Sequence, residues 1–234
     1  MKRALLDARL RSAAKFVRAE SVLADIGTDH GYLPVFLLSE GRVRRAILSD
    51  INEGPLSSAR ENAEASGLSH LCEFYLTDGC HALSGLGITD YAVCGMGGEL
   101  IAEIIEHAPH LKDPAVRLIL QPMSKQGHLA SYLAKHGFAV KGESYSSEGG
   151  KFYRCICAEY DGLSQDISVT EAELGICPED PSELPAYRGY LTAKLRSVQR
   201  AIRGKTEGGQ TAHSEESLVK EISTRLCEIK DKED

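Results

Sequence analysis

The chain has 234 residues, of which 42% are hydrophobic and 26% are charged, and its formal net charge is -7. This length and composition predict one sizeable domain plus a small appendage, and they exclude a disordered chain. No apolar run reaches the length of a membrane span, the N-terminal segment lacks the apolar stretch of a signal peptide, and the seven cysteines form no CxxC pair. We therefore expect a cytoplasmic protein with reduced cysteines and no metal site.

The first predicted element is a helix over residues 3–17, where apolar residues recur at helical spacing. Strands and helices then alternate along the chain. The predicted strands cover 21–27, 45–51, 72–79, 91–98 and 116–123, and the predicted helices between and after them cover 32–41, 55–67, 99–108 and 124–137. This alternation predicts an α/β fold with a doubly wound, mostly parallel sheet that has helices on both faces.

The last two predicted strands, FAVKGESYSSE and KFYRCICAEY, are joined through Gly149 and Gly150. Such a short connection predicts an antiparallel hairpin. Residues 162–184 are predicted to be an irregular linker with one short helix at 170–176. Two helical patterns at 186–202 and 214–232 flank the turn GKTEGGQTAH and predict a helical hairpin. We expect one domain at residues 1–161, followed at 162–234 by the linker and the antiparallel helical hairpin.

The loop after the first predicted strand, ADIGTDHGYLP at residues 24–34, is rich in acids and glycines. Ligands of doubly wound sheets bind beyond the carboxyl ends of the strands, so this loop is the first candidate contact. It does not match GxGxxG, and Asp25 and Asp29 would repel a dinucleotide pyrophosphate. A ligand with a sulfonium and an ammonium group suits these acids, which favours S-adenosylmethionine over NAD.

The ends of the next three strands carry groups that suit a nucleoside. Asp50 is placed to bind a ribose diol, Ile51 to cover an adenine, and Asp78 to accept from an adenine amino group. A single aspartate at a strand end is as often a helix cap, but four successive strand ends together favour a nucleoside-type cofactor. The predicted cofactor contacts are Asp25, Gly27, Thr28, Asp29, Gly31, Asp50, Ile51, Asn52, Asp78, Gly79, Gly95, Met96 and Gly97.

Six segments in this order resemble the bacterial tRNA (adenine(22)-N1)-methyltransferases, the TrmK family: ADIGTDHGYLP, SDINEGPLSSARENA, TDGCHAL, VCGMGGELI, LILQPMS and EGGKFYRC. The resemblance covers the whole chain and is strongest over residues 5–160. It implies a class I methyltransferase (Rossmann-like) domain followed by a small antiparallel coiled-coil domain. It also implies S-adenosylmethionine as cofactor, tRNA as substrate and N1-methyladenosine as product.

Gly95-Met96-Gly97-Gly98 stands where many enzymes that methylate exocyclic amines carry an Asn/Asp-Pro-Pro-aromatic motif. A ring N1 already has an in-plane lone pair, so the enzyme must position the base but need not deprotonate it. We predict that Asp29 accepts from the adenine amino group and stabilises the cationic product, with His30 and Tyr32 as its neighbours. The alternative is that Asp29 caps the following helix.

The candidate tRNA contacts lie in three places. Gln121 and Pro122 close the fifth strand and are predicted to contact the base, and Lys151 and Tyr153 begin the last strand, where they are predicted to meet a phosphate and stack on a flipped base. A simple strand stop is the alternative for Pro122, and an ordinary hairpin is the alternative for the second pair. Two basic segments, residues 1–20 and 186–205, supply candidate phosphate contacts, with solvated helix faces as the alternative. The arginines proposed there are Arg9, Arg11, Arg196, Arg200 and Arg203, and the first segment also holds Lys2 and Arg3.

Three other interpretations remain open at this stage: a small-molecule methyltransferase, a non-catalytic module that binds tRNA or cofactor, and an NAD-dependent enzyme. The two basic segments weigh against the first, and the acids of the first loop weigh against the last. We expect a monomer that has tRNA as its partner and binds neither membrane nor metal.

Overall fold

The computed structural model describes residues 6–233, with side chains up to residue 230. Lys2, Arg3 and the first part of the predicted N-terminal helix lie outside this range. The strands are β1 (Ser21–Ile26), β2 (Val43–Asp50), β3 (Cys72–Leu76), β4 (Asp90–Gly97), β5 (Arg117–Ser124), β6 (Phe138–Glu148) and β7 (Lys151–Tyr160). The helices are α1 (Ala8–Ala14), α2 (Tyr32–Ser39), α3 (Glu53–Ala65), α4 (Gly98–Glu106), α5 (Gln126–Lys135), α6 (Val169–Leu174), α7 (Leu184–Glu207) and α8 (His213–Glu233).

The strands form one sheet in the order β3-β2-β1-β4-β5-β7-β6. Strands β1 to β5 pair in parallel, and β7 pairs antiparallel with both β5 and β6. The predicted parallel sheet closed by an antiparallel hairpin is therefore confirmed. The strand order changes direction between β1 and β4, which is where ligands of doubly wound sheets bind.

Helices cover both faces of the sheet, and each face has its own hydrophobic layer. One layer joins Ile26 and Val93 of the sheet to Ile101 of α4 and Leu129 of α5. The other joins alternate strand residues to the buried sides of α1, α2 and α3. All six residues of β1 are buried, as expected for a parallel strand that is covered on both sides.

Helices α1 and α7 differ most in length from their predictions. Helix α1 begins only at Ala8, because the carboxylate of Asp7 caps it by accepting a hydrogen bond from the N–H of Leu10 at 2.6 Å. Helix α7 continues through Gly204 to Glu207, so the predicted turn starts at Gly208. Gly204 lies on the exposed side of the helix, where a missing side chain removes no packing contact.

Helices α7 and α8 form a hairpin, called the helical arm below, with a third hydrophobic cluster between them. Leu191 and Val198 of α7 pack in this cluster with Ile222 and Ile229 of α8. The cluster continues to the sheet through Tyr145 of β6, whose ring centroid lies 4.6 Å from that of Tyr187. The domain boundary between residues 161 and 162 stays a prediction.

The cysteines, all within the described range, carry free thiols, and Cys80, Cys155 and Cys157 are buried. Among the described helices none combines the length and apolar character needed to cross a membrane.

Candidate active site

A cavity of about 1070 Å³ opens at the carboxyl edge of the sheet. Its wall is built from the residues that follow β1, β2, β3 and β4, together with the start of α1 and one side of α4. The parallel strands bring these separate segments to one edge. The cavity is large enough for a nucleoside cofactor and part of a second ligand.

The loop after β1 forms the centre of the cavity wall. Gly27 has a φ of +71°, and a Cβ at this position would lie 2.1 Å from Cε of Met96. The positive φ therefore favours glycine here, and a Cβ would also have to displace the end of the flexible Met96 side chain. The loop turns here without filling the cavity.

Asp25 is a buried carboxyl group in this wall. Burial raises its pKa from 3.8 to about 6, against the opposing effects of a hydrogen bond from Thr28 and the positive charge of Arg9. The Thr28 hydroxyl donates to Oδ2 of Asp25 at 2.7 Å. A cation bound beside Asp25 would favour the ionised carboxylate.

The ends of β2 and β3 extend the wall to one side. Asp50 accepts a hydrogen bond from the N–H of Asn52 at 2.8 Å, which folds the loop back on itself. Ile51 is largely exposed at the cavity. Asp78 and Gly79 line the far end, next to Ile104 of α4.

The end of β4 meets β5 and α1 at the other side. Oε1 of Gln121 accepts from the backbone N–H of Gly95 and from Nη1 of Arg9, each at 3.1 Å. Nη2 of Arg9 lies 3.3 Å from Oδ2 of Asp7. Helix α1 therefore places a guanidinium group in the cavity wall.

Asp29, His30 and Tyr32 lie together at the rim. Nε2 of His30 is 3.5 Å from Oδ1 of Asp29, and the His30 and Tyr32 ring centroids are 5.2 Å apart. The Asp29 side chain is 81% exposed. The alternative role for Asp29 as a helix cap is wrong, because the N-cap of α2 is Gly31.

Comparison with known proteins places this site in a family. Residues 6–156 match a family model described as a methyltransferase domain. The tRNA (adenine(22)-N(1))-methyltransferase of Bacillus subtilis is 29% identical over 233 residues, which cover 97% of this chain and 96% of that protein. A putative tRNA (m1A22) methyltransferase from Streptococcus pneumoniae, solved in complex with S-adenosyl-L-methionine, is 30% identical, with a TM-score of 0.80 over 95% of this chain and 100% of the other. The chain belongs to the tRNA (m1A22) methyltransferase family.

The resemblance seen in the sequence is thus confirmed, and so is the class I methyltransferase fold. The TrmK of Mycoplasma capricolum, at 23% identity and a TM-score of 0.78, shares this fold over 96% of the present chain. The shared fold therefore extends over both the sheet and the helical arm.

Most of the predicted cofactor residues of this family member line the cavity: Asp25, Gly27, Asp29, Gly31, Asp50, Ile51, Asn52, Asp78, Gly79, Gly95 and Met96. The other two do not line the cavity, and their contact with the cofactor stays a prediction. Thr28 is buried behind the wall, where it bonds to Asp25. Gly97 faces β5, and a Cβ there would lie 3.4 Å from Oγ of Ser124.

The predicted base contacts Gln121 and Pro122 do not line the cavity, and their role stays a prediction. Both are buried, and the Gln121 side chain bonds to Arg9 and Gly95. The next residue, Met123, is 44% exposed and lines the cavity in their place. The QPM segment thus lines the cavity with Met123.

The other predicted tRNA contacts lie apart from the cavity, except Arg9. Arg11 is exposed and donates to the carbonyl of Leu6 at 3.0 Å. Lys151 is exposed at the hairpin turn, and Tyr153 pairs with Ser146 of β6. The remaining three are exposed along one side of α7: Arg196, Arg200 and Arg203.

Helix α4 contributes cavity residues that the sequence did not single out. These are Leu100, Glu103, Ile104 and His107. Helical spacing shows which of them share a face, but it does not show whether that face meets a cavity or the core. The GMGG segment was the sequence signal that pointed to these residues, because its last glycine fixes where α4 starts.

Proposed function

We propose that this chain transfers the methyl group of S-adenosylmethionine to ring N1 of adenine 22 in tRNA. The observation that carries the proposal is the cavity at the carboxyl edge of the sheet, in a chain of the tRNA (m1A22) methyltransferase family. Its wall offers acids at three successive strand ends to a cofactor that carries a sulfonium, an ammonium and a ribose diol.

The cofactor lies across the strand ends in this proposal. Its adenine faces Asp78 and is covered by Ile51, and its ribose diol binds Asp50. Its methionine part reaches the loop after β1, where Gly27 leaves room and Asp25 meets the ammonium. The order of the strands, β3-β2-β1, is the order of these three contacts.

The reaction needs positioning more than proton transfer. The N1 lone pair of adenine attacks the methyl carbon, the S–CH₃ bond breaks, and its electron pair stays on sulfur. The products are S-adenosylhomocysteine and a cationic N1-methyladenosine. The positive charge moves from sulfur to the base, so an acidic wall stabilises it before and after transfer.

The target adenine enters at the rim. Asp29 accepts a hydrogen bond from its amino group, and His30 and Tyr32 lie beside the base. Met123 supplies an apolar contact near the same opening. The family's base-modifying chemistry requires the adenine to leave its stack, and an exposed rim admits such a base.

The tRNA backbone binds outside the cavity. Arg196, Arg200 and Arg203 present three guanidinium groups along α7, and Arg11 lies on α1. Lys151 and Tyr153 at the hairpin turn are further candidates. Contacts of this kind orient the RNA through its phosphates and do not read its sequence.

The test is methyl transfer from labelled S-adenosylmethionine to unmodified bacterial tRNA, with nucleosides separated by mass spectrometry. We expect N1-methyladenosine from wild-type tRNA and none from a transcript with guanine at position 22. Asp29→Asn is expected to lower kcat with little change in the Kd for S-adenosylmethionine. Cofactor binding without transfer to any tRNA would contradict the proposal and point to a small-molecule acceptor or a binding module.

A further inference from the structure

We infer that the contact between Gly189 of α7 and Phe152 of β7 sets the angle at which the helical arm presents tRNA to the cavity. The inference rests on the proposed function and makes both of these positioning residues for the reaction. Neither of them lines the cavity, so their effect on methylation passes through the arm.

The helix and the strand approach each other very closely at this point. A Cβ on Gly189 would lie 2.0 Å from Cε1 and 2.3 Å from Cζ of Phe152, whereas carbon atoms in contact are normally about 3.5–4.0 Å apart. The Phe152 ring packs against the hydrophobic cluster of the arm, so moving it would cost packing. A glycine inside a helix costs about 1 kcal/mol relative to alanine. The close approach of the ring to the helix backbone is the packing reason for glycine here.

The contact lies at the edge of the sheet where the cavity opens. Leu120 of β5 pairs with Ile156 of β7 in antiparallel register. When this register is continued, Phe152 is level with Ser124, the last residue of β5. The carboxyl ends of the parallel strands form this edge, and the cavity lies at the same edge.

Helix α7 runs along β6 toward the same edge. Directly before the helix, the carboxylate of Glu183 accepts from the hydroxyl of Ser144 at 2.8 Å. Six residues later, Gly189 lies against Phe152, which pairs with Ser147 of β6. Six residues of helix rise about 9 Å and three residues of strand rise about 10 Å, so the helix follows the strand. Beyond Gly189 it projects past the end of the sheet.

The arginines of α7 continue from this contact. Arg196, Arg200 and Arg203 follow Gly189 by 7, 11 and 14 residues, spacings that return to the same face of an α-helix. They are exposed and lie about 10 to 21 Å farther along the helix. Lys151 is exposed at the hairpin turn next to the contact, so the same cationic surface extends to the sheet.

Two residues of α7 hold another side of the helix. The Tyr190 hydroxyl donates to the carbonyl of Glu173 at 2.9 Å, and Nζ of Lys194 bonds to the Glu173 carboxylate. The helix is thus fixed between α6 and the Phe152 ring. A change in size at this contact tilts the helix, and a tilt moves the distant arginines farther than it moves the contact itself.

The experiment measures single-turnover methylation of saturating tRNA, together with the Kd values for tRNA and S-adenosylmethionine. Gly189→Ala is expected to lower the rate by about 10- to 100-fold, since a misplacement of about 1 Å can cost about 100-fold. The Kd for tRNA is expected to change by less than about threefold, because the cationic surface is intact. The Kd for S-adenosylmethionine is expected to stay unchanged. A purely structural role would lower the melting temperature and leave the rate of the folded protein unchanged.

Phe152→Leu alters the same contact from the strand and is expected to lower the rate less, by about 3- to 10-fold. The double variant Gly189→Ala with Phe152→Leu is expected to return the rate to within about threefold of the wild type. The smaller side chain leaves room for the added methyl group. Such compensation requires that the two residues act through their mutual contact.

Gly204→Ala is the matched control, because it is the same substitution in the same helix at a position where a Cβ would meet nothing within 4 Å. It is expected to leave the rate and both Kd values unchanged. A wild-type rate in Gly189→Ala, a double variant no faster than Gly189→Ala, or a Kd for tRNA that rises as far as the rate falls would overturn the inference. A wild-type protein that methylates no tRNA would instead overturn the proposed function.

Discussion

Nε of Arg154 donates a hydrogen bond to Oε2 of Glu143 at 3.0 Å, and both side chains are only 2% exposed. The same carboxylate oxygen accepts from the Tyr145 hydroxyl at 2.6 Å and from the N–H of Ile176 at 2.9 Å. Nη1 of Arg154 donates to the carbonyl of Ala172 at 2.7 Å. This buried ion pair therefore ties β6 and β7 to the segment around α6.

Removal of one member of that pair is expected to destabilise the protein strongly. Arg154→Met leaves the Glu143 carboxylate buried without its cation, and we expect a loss of about 3–5 kcal/mol in the free energy of unfolding. The double variant Glu143→Gln with Arg154→Met is expected to be more stable than Arg154→Met alone. Urea unfolding of both single variants and the double variant provides the measurement, and strictly additive losses would show that the charges do not interact.

The raised pKa of Asp25 predicts a pH-dependent gain in stability for Asp25→Asn. Because the folded pKa of about 6 exceeds the ordinary value of 3.8, folding disfavours the ionised carboxylate. This cost is complete above about pH 6, shrinks as the pH falls and disappears below about pH 4. Its full size is up to about 3 kcal/mol.

We therefore expect Asp25→Asn to raise the melting temperature of the cofactor-free protein at pH 8 more than at pH 5. The same variant is expected to weaken S-adenosylmethionine binding, because the amide cannot neutralise the ammonium. Thermal melts at the two pH values, with and without cofactor, separate the effects. A stability gain of equal size at both pH values would mean that ionisation of Asp25 is not its source.

Gly27→Ala is expected to impair cofactor binding. Alanine at a φ of +71° costs about 1–2 kcal/mol, and its Cβ would displace the end of the Met96 side chain into the cavity. Gly41→Ala is a matched control, since Gly41 has a φ of +63° and its Cβ would meet nothing within 4 Å.

Both glycine variants are expected to lose similar backbone stability, but only Gly27→Ala is expected to raise the Kd for S-adenosylmethionine, by tenfold or more. Denaturant unfolding and cofactor titration on the two proteins measure the two quantities. Equal cofactor affinities would show that the space at Gly27 is not needed by the ligand.

Reversal of the α7 charges is expected to act on RNA alone. Changing Arg196, Arg200 and Arg203 to Glu should weaken tRNA binding at low salt and flatten its salt dependence, because each phosphate contact contributes about one ion to the slope. Cofactor affinity is expected to remain unchanged. Filter binding at several salt concentrations provides the measurement.

Arg44→Glu with Lys112→Glu serves as the control for overall charge, since both residues are exposed and neither belongs to α7 or α8. If this pair weakened tRNA binding as much as the α7 variant, the effect would come from net charge and not from the arm.

The sheet was predictable because each strand is a short apolar run that ends at a polar or glycine signal. The acids after β1, β2 and β3 were predictable as a group for the same reason, since parallel strands bring their carboxyl ends together. The hydrogen bond between Gln121 and Arg9 was not predictable, because the two residues lie 112 positions apart in the sequence. The exposure of side chains at the end of β5 was also not predictable, since Gln121 and Met123 are two residues apart and share a face of a regular strand, yet only Met123 is exposed.

Helix α1 has only seven residues, yet Arg9 on it reaches the cavity and Lys15, directly after it, reaches the helical arm. Nζ of Lys15 lies 2.5 Å from Oε1 of Glu183, and Glu183 precedes α7 and also accepts from Ser144 and from the N–H of Tyr145. One segment thus spans the distance between the cavity and the start of α7. Coupling free energies between two binding sites are reciprocal. If bound cofactor raises the affinity for tRNA through this segment, bound tRNA raises the affinity for the cofactor by the same factor.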